Sequence, residues 1–72
     1  MERLTSVQVR QAREALGLSG AALAERLNVR ADTVRRWESG RDPVPYGVRM
    51  ELIEVGRRRL EEVSQAIAAL DA

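Results

Sequence analysis

Seventy-two residues with a formal net charge of +1 leave room for one small hydrophobic core, which is marginal unless its helices pack closely or a second copy completes it. The chain has no cysteine, histidine or lysine, so disulfides and thiolate metal sites are excluded. With no metal-ligand cluster and no glycine-rich phosphate loop either, an enzyme, a metal or a cofactor is not expected. No apolar run approaches the ~20 residues that span a bilayer and no hydrophobic secretory core opens the chain, which points to a cytoplasmic protein with no membrane partner.

In chain order, Met1 to Leu4 is expected to be a loose arm, with Thr5 or Ser6 capping a first helix. Val9, Ala12 and Leu16 recur on one face of that helix, Val7 and Ala15 lie close by, and Gly17 ends it where a positive φ is tolerated. Ser19 is the next cap. Behind it a compact second helix through Ala21 to Leu27 turns Leu23 and Leu27 inward, and Ala24 is small enough for another helix to cross closely. Asn28, which accepts a left-handed conformation, makes a tight turn. The third helix starts near Arg30 or Ala31, buries Val34 and Trp37, and stops at Ser39-Gly40.

Asp42-Pro43-Val44-Pro45 reads as a rigid connector because each proline restricts its predecessor, and Pro45 can open the fourth helix. From Tyr46 onward two stripes share that helix. Val48, Leu52 and Val55 can close the core, while Ile53, Gly56, Leu60, Val63, Ile67 and Leu70 follow a heptad with nothing left in the chain to cover them. A dimer interface through Ile53, Leu60, Val63, Ile67 and Leu70 is therefore expected. Arg57, Arg58 and Arg59 are expected to pair along the helix surface, Arg58 with Glu54 and Arg57 and Arg58 with Glu61 and Glu62.

Charge is uneven along the chain. Arg26, Arg30, Arg35, Arg36 and Arg41 stand against only Asp32 and Glu38, whereas the region after Met50 is mildly acidic. A short helix with arginines on one face and Val34 and Trp37 on the other can anchor in a core while facing a phosphate-rich partner, which makes it a candidate DNA-reading helix.

The stretches LGLSGAALAERLNV and TVRRWESGR resemble the helix-turn-helix of the phage-repressor-like family, also called Cro/C1 or XRE, over Val9 to about Val55. RWESGRDPVPYGVRMELIE is more weakly similar to anti-CRISPR-associated autorepressors and antitoxin repressors. The chain departs from the family pattern at Gly20, where many members carry a phosphate-touching glutamine, and at Asn28, which replaces the usual turn glycine.

The resemblance implies an all-α, lambda-repressor-like bundle over residues 5–55, with residues 53–72 as an extended C-terminal dimerisation helix of one domain. In such proteins the second helix lies across the DNA backbone and the third enters the major groove. The family's base-reading positions then fall on Arg30, Ala31, Asp32 and Arg36, with Arg35 beside them. Arg13 and Glu38 match a structural ion pair.

Arg36 is expected to pair with guanine O6 and N7. Asp32 has a second explanation as a partner of the helix dipole, which is preferred, and Ala31 serves either as a thymine-methyl contact or simply as a helix former. Ser19, Arg30 and Arg41 are the expected phosphate contacts, and Trp37 is expected in the core. The function expected is a homodimeric repressor of nucleoid DNA, from a phage or other mobile element, reading a palindromic operator. The alternative is an interaction module whose last helix binds another protein such as a toxin.

Overall fold

The computed structural model describes residues 2–72 and holds four helices: α1 (Ser6–Ala15), α2 (Gly20–Leu27), α3 (Ala31–Glu38) and α4 (Val48–Asp71). Among the described residues there is no strand, so the fold is all-α, a helix-turn-helix bundle with a long last helix.

Each of the first three helices has a local reason to begin or end where it does. Thr5 Oγ1 accepts from the Gln8 amide at 3.1 Å while Gln8 Oε1 accepts from the Thr5 amide at 2.9 Å, a reciprocal capping box. Ser19 Oγ accepts from the Ala22 amide at 3.0 Å. The first two exits are left-handed residues, Gly17 at φ +68° and Asn28 at φ +59°. At each, the following amides fold back onto the last helical carbonyls: Gly17 to Glu14 and Leu18 to Arg13, then Asn28 to Glu25 and Val29 to Ala24. Gly40 closes α3 at φ +79°, its own amide returning to the Trp37 carbonyl and that of Asp42 to the Arg36 carbonyl, both at 3.2 Å.

Val9, Leu23 and Val34 are sealed at the centre of the core, with Leu18, Leu27, Trp37, Val48, Leu52 and Val55 around them. Ala24 is buried between α2 and α3, where a larger side chain would force the helices apart. Val7 and Ala15 are exposed, so α1 contributes a narrower face than its composition allows.

Three expectations need correction. The arm is not loose throughout, since Leu4 packs against the core; Met1 lies outside the described residues. The fourth helix opens at Val48 rather than Pro45, because Pro45 begins a turn in which its carbonyl accepts the Val48 amide at 3.1 Å. That placement follows from Val44, buried between its two prolines, which pins the connector to the core before the helix can start.

The surface pairing of α4 also differs from expectation. Arg58 does pair with Glu54 at 3.3 Å, but Glu62 turns to the bundle, where both its oxygens accept from Arg26 at 2.8 Å. Arg59 Nε donates to the Leu16 carbonyl at 2.9 Å and its Nη1 reaches Glu62 at 3.4 Å. These contacts carry α4 along the bundle as far as Glu62; every residue from Glu61 onward is exposed.

Candidate nucleic-acid interface

The third helix has an inner and an outer face. Val34 and Trp37 are buried, and Arg30, Ala31, Asp32 and Arg35 are exposed, Arg35 with 76% of its side chain free. Arg30 precedes the first turn and supplies its carbonyl, not its side chain, to that turn. The guanidinium is thus left to the surface. Ser19 is exposed at the start of α2; its oxygen caps the helix, and its hydroxyl hydrogen remains to be donated. Arg41 is exposed beyond the far end of α3.

The far end of α3 is fixed to α1. Arg13 grips Glu38 with two hydrogen bonds, Nε to Oε2 at 2.7 Å and Nη2 to Oε1 at 2.9 Å, and spends Nη1 on the Leu18 carbonyl at 3.1 Å. Only 10% of the Glu38 side chain is exposed, so this is a well-shielded bidentate pair. Its hydrogen bonds to Glu38 raise the Arg13 pKa, against the opposing effect of desolvation, so the guanidinium stays charged at any working pH. Arg10 adds a bond from Nη2 to the Glu38 carbonyl at 3.1 Å. The pitch of α3 relative to α1 is therefore set by charged contacts as well as by Val34 and Trp37.

Arg36 does not stand free. Its Nη1 donates to Asp32 Oδ2 at 2.9 Å, one helical turn back, and its Nε lies 3.0 Å from Asp42 Oδ2 in the connector. The second contact is an ion pair whose N–H is not aimed at the carboxylate, leaving Nε buried without a hydrogen bond. Asp32 is shared, with Arg35 at 3.7 Å. The expected base-reading residues are thus brought onto one face, but two of their guanidiniums are partly neutralised by their own chain. Asp42 is the member of this cluster that sequence reasoning missed. Its only local signal is its place just beyond Gly40, whose left-handed turn swings it back over the helix end.

Other contacts have no sequence signature. Arg26 and Glu62 meet across 36 residues, and the Arg26 bonds hold the Glu62 carboxyl down at about 2. Arg3 lies over the Tyr46 ring, 4.8 Å from its centroid.

Two compact helices at a tight Asn28 turn, the second outward-facing and basic, are the geometry of a helix-turn-helix. A family profile described as a helix-turn-helix domain matches residues 6–72. The chain belongs to that family. It is of the Cro/C1 or XRE kind, whose domains bind DNA and are typically not enzymes. No match is found among curated proteins, and none among solved structures. Among the described residues no group of acids is placed to hold a metal ion, and no helix is long and apolar enough to cross a membrane.

Proposed function

We propose that this chain is a homodimeric, sequence-specific transcriptional repressor that reads an inverted-repeat operator through α3 in the major groove, with no cofactor. The observation that carries the reading is the two-sidedness of α3: Val34 and Trp37 lock it inward while Arg30, Ala31, Asp32 and Arg35 face out beside Arg36. Arg36 reads guanine once it leaves Asp32 and Asp42. Two exposed ion pairs together contribute about 0.4–2 kcal/mol, a loss that a paired guanine contact, which discriminates by about 1–3 kcal/mol, is large enough to offset. Ser19, Arg30 and Arg41 meet phosphates on either side, and Ile53, Leu60, Val63, Ile67 and Leu70 join two copies. Repression follows by occluding a promoter, the chain's own in the simplest case, from a cytoplasmic, nucleoid-bound pool.

Selection of bound duplexes from a random library tests this. The expected motif is palindromic, with half-sites one helical turn (~34 Å) or a multiple of it apart. Enrichment of no motif, or of a single unrepeated half-site, overturns it.

The exposed stripe on α4 also favours a second reading, in which that helix binds another protein such as a toxin. On that reading the purified chain is a monomer that forms a stoichiometric complex with its partner.

A further inference from the structure

Along α4, on the side of α1, runs an open groove of about 350 Å³ lined by Leu4, Ala12, Leu16, Ile53 and Gly56, with Arg49 among its walls. Its floor is low because residue 56 is glycine; a Cβ there would already touch Leu16 at 3.8 Å. Ile53 and Gly56 are also the first two members of the heptad stripe that continues through Leu60, Val63, Ile67 and Leu70. Leu60 and Leu70 are 68% and 89% exposed. Groove and stripe are therefore one apolar surface, concave where α1 walls it and convex where α4 stands alone beyond Glu62.

We propose that the groove is filled by the end of α4 from a second copy of this chain, the two helices lying antiparallel. This deepens the dimer reading above and rests on it. In the register that uses the whole stripe, the partner's Leu70 lies opposite Ile53, the partner's Ile67 opposite Gly56 and the partner's Val63 opposite Leu60, and the twofold axis repeats all three layers. The largest gap on one helix then receives a branched side chain from the other, the alternation that fills a helix interface without voids.

A parallel pair sets each position against itself. Gly56 then faces Gly56, two hollows oppose one another, and both grooves stay empty.

Charge supports the same arrangement. Antiparallel seating brings the partner's Asp71 within about one helical turn of Arg49. Among the described residues that arginine makes no ion pair, its Nη2 donating instead to the Glu2 carbonyl at 3.2 Å. A carboxylate supplied by the partner completes it.

The chain contains no cysteine, so introduced thiols report on this geometry alone. Gly56→Cys and Ile67→Cys chains, prepared separately, mixed and oxidised, are expected to form the mixed disulfide at least tenfold faster than either forms a disulfide with itself. In this register Ile67 is offset from its own copy by roughly 16 Å along the axis, too far for a bridge whose Cα atoms are at most about 7 Å apart.

Because Gly56→Cys can disturb the packing on Leu16, spin labels on Asp71→Cys give an independent reading. A label separation of roughly 28 Å or more is expected, against about 10 Å for parallel helices. Sedimentation of the parent chain separates the seating of the helices from the existence of the dimer. A dimer with self-bridging Ile67→Cys or a short label distance overturns the antiparallel seating alone. A monomer at micromolar concentration overturns the dimer itself, and with it the second copy as occupant of the groove.

Discussion

Asp42→Asn should make this protein bind its operator more tightly, an unusual result for a surface change outside the recognition helix. Arg36 is held by Asp32 at 2.9 Å and approached by Asp42 at 3.0 Å, with 39% of the arginine side chain and about half of each carboxylate exposed. Pairs this wet contribute about 0.2–1 kcal/mol. On the proposed reading Arg36 gives up that energy to reach guanine, so removing Asp42 should return up to about 1 kcal/mol per half-site, a gain in affinity of up to roughly fivefold each. Part of any gain comes from deleting a negative charge beside DNA phosphates, and this part does not pass through Arg36. A double-mutant cycle with Arg36→Ala separates the two, read by fluorescence anisotropy of a labelled operator duplex at fixed salt. The gain from Asp42→Asn should be at least halved in the Arg36→Ala background. An equal gain in both backgrounds would refute the release of Arg36 as a step in recognition.

Other consequences can be checked alongside. Glu38→Gln removes the charge from a pair that is only 10% exposed on its acidic side, so a loss of about 2–3 kcal/mol and a melting point lower by roughly 10–20 °C are expected at fixed protein concentration. A fall of less than about 3 °C would contradict the role given to Arg13. Glu62 titrates near 2 in the folded chain against an ordinary value of 4.5, so its bonds to Arg26 and Arg59 stabilise the fold fully above about pH 4.5 and are lost as pH falls towards 2. The stability difference between the parent and Glu62→Gln, followed by circular dichroism, should close over that window; a difference unchanged between pH 5 and 2 would count against the contact. Arg41→Ala should weaken all duplexes alike and lower the salt dependence by about one ion per subunit, and an altered sequence preference would show that it reads a base.

What could be read from the sequence was what is decided within a few residues. The caps at Thr5 and Ser19 and the exits at Gly17, Asn28 and Gly40 punctuate the helices whatever the rest of the chain does. The core faces of α2 and α3 followed from periodicity, as did the two stripes on α4. What could not be read depends on side chains that meet only after folding. Asp42 reaches Arg36 because a turn folds back, and Glu62 finds Arg26 because α4 runs on past α2. Arg57, Arg58 and Arg59 looked alike as a run, yet a helix aims them about 100° apart, so Arg59 turns to the Leu16 carbonyl while Arg58 stays on the surface with Glu54. Pro45 misled because it suits a helix start and a turn equally well, and the burial of Val44 decided between them.

On the reading proposed above, α3 of this DNA-binding domain lies in the major groove and reads guanine there. Methylation interference on the selected operator tests it most directly, because methyl groups at guanine N7 obstruct the major groove and those at adenine N3 obstruct the minor one. Loss of binding is predicted when one or two specific guanines in each half-site carry the N7 methyl, at symmetry-related positions. Binding that tolerates every N7 methyl but fails on N3 methylation would contradict it.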